Sequence, residues 1–147
     1  IIGAFVFIPF MSLTELPAQL VTILTSLPIG EIGILLIVVL IYMFLGMFLE
    51  AMAMLVLTIP VVIPIAVALD WDLIWFGIIV VIVLEMGMIS PPVGINVFIV
   101  KSIAQDVPMS TIFNGIWPFW FAMAAMIGLL IVFPQIASYL PQAVVGS

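Results

Sequence analysis

The sequence is 147 residues long, 68% hydrophobic and 5% charged, with a formal net charge of −6, whereas soluble domains average roughly 45–50% apolar and roughly 25% charged residues. A mean hydropathy of +1.64 excludes water as the main solvent of the folded chain. One base, Lys101, stands against seven acids spread singly, which excludes nucleic acid as a partner; the absence of Cys and His excludes disulfides and Cys- or His-ligated zinc, copper or haem, so any bound ion is held by oxygen.

The acids divide the chain into apolar runs of about 15–20 residues, a length that suits the hydrocarbon core of a bilayer. Backbone in lipid must satisfy its own hydrogen bonds as helices or as a closed barrel. The alternation of a barrel strand is absent from runs such as Ile32 to Leu45. The expected fold is therefore an all-α integral membrane protein, a polytopic helical bundle.

Ile1-Ile2-Gly3 opens inside an apolar stretch without an initiator Met, a basic segment or a cleavage site. The chain reads as a piece that starts inside a helix, not as a signal peptide. Residues 1–29 are expected to hold the end of that helix, to Met11, and an amphipathic arm helix. Ser12-Leu13-Thr14-Glu15 offers a capping box with Pro17 in the first turn, and Glu15, Gln19, Thr22 and Ser26 make a polar stripe.

Residues 30–69 read as a helical hairpin. Pro28-Ile29-Gly30 breaks the arm helix, Glu31 lies in the next first turn, and Gly46-Met47-Phe48-Leu49-Glu50 interrupts the apolar run to form the tip. Residues 70–104 read as a helix, Leu73 to Met86 at first, broken near 87–96 and resuming as Val97 to Ile103; Asp70-Trp71-Asp72 supplies its turn and N-cap. Residues 105–147 hold the last transmembrane helix, with Ser110 or Thr111 as cap, and an amphipathic tail through Pro141.

The break carries the most chemical information. Pro91 and Pro92 remove two backbone donors and disfavour helix for the residues before them, so carbonyls one turn earlier lose their partners. In a membrane such backbone is tolerated where it is buried in protein or lines a watery cavity. Ser90 and Asn96 at the same place favour a cavity, and discontinuous helices of this kind hold cations on free carbonyls and anions at half-helix N-termini. The alternative is a proline kink that only shapes packing.

Glu50 is either a first-turn charge on the exit arm or a group near ion or substrate. Glu85, about one turn before the break, has three possible roles: cation ligand, partner of Lys101, or proton carrier. Lys101 reads better as a base reaching for the headgroups. Ten methionines suggest a soft-metal path less than gap-filling between helices. Trp71, Trp75, Trp117 and Trp120 read as interface anchors without a site role.

Leu45-Gly46-Met47-Phe48-Leu49-Glu50, Thr58-Ile59-Pro60 with Pro64, Trp75-Phe76-Gly77, Ile89-Ser90-Pro91-Pro92-Val93-Gly94-Ile95-Asn96, Gly115-Ile116-Trp117-Pro118-Phe119 and Phe133-Pro134-Gln135-Ile136 stand in an order that resembles the large membrane subunit of tripartite ATP-independent periplasmic (TRAP) transporters. The resemblance covers nearly the whole chain. It implies the second inverted repeat of an elevator-type ion-transporter fold, with a re-entrant hairpin followed by a discontinuous helix.

By that resemblance sodium lies between tip and break, with Ser90, Pro91, Gly94, Asn96, Gly46, Glu50 and Glu85 as candidate ion-binding residues and Ser90, Pro92, Val93, Gly94 and Asn96 as candidate substrate-binding residues. Where the family commonly has Thr, this chain has Ser90, which keeps a hydroxyl; where it often has Asp, this chain has Glu50, which changes the reach. The resemblance also implies a periplasmic binding protein, a small TRAP membrane subunit, a small organic anion such as a carboxylate or a sialic-acid-like sugar, a bacterial inner membrane, and an N-terminal repeat without which the chain does not transport.

No cofactor other than coupling sodium is expected, and no phosphate-binding Gly-rich Lys motif is present. Two rivals remain: an ion-coupled carrier without a binding protein, and a membrane scaffold. Enzymatic activity is not expected, because intramembrane hydrolases rely on Ser–His pairs, His-bound metal or paired aspartates; His is absent, and Asp70 and Asp72 sit at a surface turn.

Overall fold

A computed structural model describes residues 6–7, 9–10 and 13–139. The helices that organise it are α1 (Leu16–Ser26), α2 (Gly30–Gly46), α3 (Ala51–Ala68), α4 (Leu73–Ile89), α5 (Ile95–Ile103) and α6 (Met109–Val132). No strand occurs among the described residues. The expected helix of residues 1–11 and the end of the tail at Pro141 lie partly outside them.

α4 is the centre, packing on α2, α3, α5 and α6. Its Trp75, Phe76, Ile79, Val80, Val83 and Leu84 are all buried, whereas α1, which lies against α3 and α2, buries none of its residues. Large side chains on the outside of α6, including Trp117, Phe119, Phe121, Leu129 and Val132, are exposed. α3 and α6 are long and apolar enough to cross a membrane, and α1, α2 and α4 are shorter apolar helices. An apolar exterior of this extent requires lipid or protein as its neighbour.

Local chemistry sets the helix ends. Asp72 Oδ1 accepts from the amides of Ile74 at 2.8 Å and Trp75 at 3.0 Å, so the expected N-cap of α4 is formed. Pro60 and Pro64 stand inside α3, where the Thr58 hydroxyl pairs with the Tyr42 hydroxyl of α2 and with the Met54 carbonyl. Across the bundle the Trp75 indole donates to the Leu130 carbonyl of α6 at 2.7 Å. Trp75 is thus a buried tie between helices and not an interface anchor.

Several expected boundaries shift. α1 begins at Leu16 after Glu15, which adopts a left-handed conformation with φ 52° and makes no side-chain capping bond to α1; Pro17 lies in the first turn. Ser12 lies outside the described residues. α4 continues to Ile89, three residues past the expected Met86, because Gly87 serves as a packing surface and does not end the helix. α5 starts at Ile95, which places Asn96 inside it.

α6 starts at Met109 with Pro108 as its N-cap residue, and Ser110 and Thr111 fall in its first turn. There the amide of Thr111 bonds the Pro108 carbonyl at 3.0 Å, so the backbone closes the turn that a hydroxyl was expected to cap.

Candidate functional site: two helix interruptions at one end of a helix pair

α2 and α4 touch backbone to backbone where the hairpin turn begins. A Cβ on Gly87 would stand 2.8 Å from the Gly46 Cα and 2.9 Å from the Met43 carbonyl oxygen, and one on Gly46 would stand 3.1 Å from the Gly87 Cα. Only glycine on both sides permits this approach. The turn Met47–Glu50 follows Gly46 directly, and the non-helical stretch Ser90–Gly94 starts three residues after Gly87. The contact therefore brings both interruptions to the same end of the α2–α4 pair.

At this end lie the C-termini of α2 and α4 and, across a short non-helical stretch from each, the N-termini of α3 and α5; α5 packs on α4 and α6 and not on α2 or α3. The C-termini carry partial negative charge on unpaired carbonyls and the N-termini partial positive charge on free amides. Glu50 closes the α3 terminus, its Oε1 accepting from the Met52 amide at 2.9 Å and its Oε2 from the Ala53 amide at 3.0 Å. Glu50 is exposed and acts as an N-cap. The α5 terminus has no side-chain cap.

Ser90 ends α4 and is 3% exposed. Its hydroxyl donates to the Met86 carbonyl at 2.6 Å and accepts from the Trp120 indole at 3.0 Å. Its amide takes the Gly87 carbonyl at 3.0 Å. Pro91 and Pro92, both exposed and joined by a cis peptide bond, have no N–H to give, which leaves the Met88 carbonyl without its helical partner.

Gly94 is buried, with φ 58°, and a Cβ there would come within 3.2 Å of the Ser90 carbonyl oxygen. Val93 and Asn96 are half-buried, and the Asn96 carboxamide makes no hydrogen bond among the described residues.

The candidate residues do not all converge. Gly46, Glu50, Ser90, Pro91, Pro92, Val93, Gly94 and Asn96 belong to the two interruptions or their edges. Glu85 is exposed, and two residues of helix turn it roughly 200° from Gly87, away from Gly46. Lys101 does not pair with it; the ammonium donates to the carbonyls of Gln105 at 2.7 Å and Val107 at 2.8 Å, closing the end of its own half-helix.

Sequence reasoning missed Trp120, a residue with no local signal for the serine it meets 30 positions away. A cavity of about 270 Å³ lies at the other end of the bundle, beside Glu31, Asp70, Asp72 and Trp71.

Apolar helices, two of them of spanning length, arranged around paired interruptions, define a helical membrane protein. A profile of the family described as "Tripartite ATP-independent periplasmic transporter, DctM component" matches residues 1–136, and the chain belongs to this family.

Among its relatives are the sialic acid TRAP transporter permease protein SiaT of Haemophilus influenzae, 30% identical over 50% of this chain and 12% of its own length, and the sialic acid TRAP transporter large permease protein SiaM of Vibrio cholerae, 30% identical over 51% and 17%. The C4-dicarboxylate TRAP transporter large permease protein DctM of Rhodobacter capsulatus is 33% identical over 48% of this chain and 16% of its own length. The matched stretch thus spans less than a fifth of each of these relatives.

Proposed function

We propose that this chain is the C-terminal part of the substrate- and sodium-translocating subunit of a TRAP secondary transporter for small organic anions, carboxylates or sialic-acid-like sugars. α2, the turn and α3 act as a re-entrant hairpin; α4, the break and α5 act as the discontinuous helix of a second inverted repeat. α1 is the arm that holds them and α6 the closing helix. The N-terminal repeat supplies the other half of the site. A periplasmic binding protein delivers substrate, a small membrane subunit steadies the moving body, and the assembly sits in a bacterial inner membrane.

The observation that supports this reading is the Gly46–Gly87 contact, which sets both interruptions at the same end of the α2–α4 pair. Carbonyls at the ends of α2 and α4 offer oxygen to sodium, a hard cation that takes oxygen donors, and the uncapped amides of α5 suit an anionic group of the substrate. No ionisable side chain with a redox or hydrolytic role is needed for this task, and the subunit acts as a carrier and not as an enzyme.

The test is uptake into proteoliposomes by the full permease with its small subunit and binding protein, driven by a sodium gradient. Uptake should stop when choline replaces sodium, and Gly94→Ala, which strains a left-handed residue and crowds the Ser90 carbonyl, should reduce it at least tenfold. Uptake indifferent to sodium would sink the proposal. Uptake that persists without any binding protein would favour an ion-coupled carrier of the simpler kind.

A further inference from the structure

One face of α4 remains open along its length. Ile74, Gly77, Val81 and Glu85 recur at spacings of three and four and therefore form one stripe, and all four are exposed. Gly77 differs from Gly87 on the packed face, because a Cβ built on it meets nothing within 4 Å. Nothing among the described residues requires a glycine there, although glycine inside a helix is less favourable than alanine. In membranes small residues mark where another helix backbone approaches closely.

Glu85 stands two turns further along the same stripe. It makes no hydrogen bond among the described residues, and the chain's one base is engaged by the Gln105 and Val107 carbonyls. A carboxylate within a transmembrane helix faces protein or a watery cavity and finds a partner there. The relatives extend well beyond the stretch they share with this chain, and on the proposed reading the rest of such a permease is the source of that partner.

We propose that the stripe Ile74, Gly77, Val81 and Glu85 seats a transmembrane helix from the part of the large permease outside these 147 residues, crossing closest at Gly77 and presenting a basic or hydrogen-bond-donating side chain to Glu85. This rests on reading the chain as part of a larger permease and adds the surface by which the parts join.

The experiment places a photoreactive benzoylphenylalanine at Val81 of the full permease in native membranes and maps its adducts by mass spectrometry. The expected product joins Val81 to a permease helix outside this chain, and Gly77→Leu should lower its yield at least fivefold. Glu85→Leu should lower the yield more than Glu85→Gln, which still accepts and donates hydrogen bonds. If the Val81 variant does not reach the membrane, the same probe goes at Ile74.

Adducts to lipid, to the small subunit or to a second copy would each overturn the proposal. Cross-linking needs no transport, so the two readings fail separately. An intact cross-link without sodium-driven uptake counts against the transport reading alone, and sodium-driven uptake with lipid adducts counts against this interface alone.

Discussion

The Trp120 indole of α6 donates to the Ser90 hydroxyl at the end of α4, and that hydroxyl in turn donates to the Met86 carbonyl. One side chain at the break is thereby committed on two sides, with a single lone pair left to offer. Trp120→Phe keeps the ring and removes the donor, and it should cost about 1 kcal/mol of stability. Ser90→Ala should cost more, because it strands both the indole and the carbonyl. A double-mutant cycle read by thermal unfolding in detergent should give a coupling of about 1 kcal/mol; additive effects would show that the bond does not hold the break.

At the hairpin turn the critical quantity is space. Gly87→Ala places a methyl 2.8 Å from the Gly46 Cα, whereas Gly46→Ala meets the Gly87 Cα at 3.1 Å. Overpacking of this sort costs about 1–3 kcal/mol, and Gly87→Ala should be the worse of the two. The unfolding midpoints of the two variants test the ranking. An unchanged midpoint for Gly87→Ala would mean that α2 and α4 are not in contact there.

Glu50 caps α3 through both carboxylate oxygens. Glu50→Ala should lower the unfolding midpoint, and Glu50→Asp should largely preserve it, since aspartate is a better N-cap than alanine. If Glu50→Asp keeps the midpoint and changes the sodium dependence of uptake, the carboxylate has a role beyond capping, and the difference in reach from the family's frequent Asp becomes functional.

Lys101 closes the end of α5 on two carbonyls. Lys101→Met should cost about 1 kcal/mol through loss of those charged hydrogen bonds. Hydrogen exchange at Gln105 to Val107 should quicken in this variant and not in Glu85→Gln, because the two residues are not partners.

The sites of chain interruption were legible because proline, glycine and acidic caps act locally: Asp72 and Glu50 cap as short-range chemistry requires, and Pro91-Pro92 ends α4. The extent of the break was not, since a glycine that admits a neighbouring backbone looks in sequence like one that ends a helix. Gly87 is the first kind, whereas Gly94, with φ 58°, is the N-cap residue at which α5 begins. Ser110 and Thr111 had the chemistry of caps but stood two and three residues beyond the N-cap position, Pro108. Glu85 stands about one turn before the break in the chain, but helical rotation turns it to the other side of α4. Trp120 and Trp75 act across 30 and 55 residues, a separation that no local pattern encodes.

The two indoles have a mechanical consequence. Trp75 fastens the start of α4 to the far end of α6, and Trp120 fastens the end of α4 to the middle of α6. A helix pinned at two well-separated points neither slides nor pivots against its companion without losing a bond. α6 is a splint, so any displacement of the proline stretch that keeps both bonds must carry α6, the longest helix among the described residues, along with it.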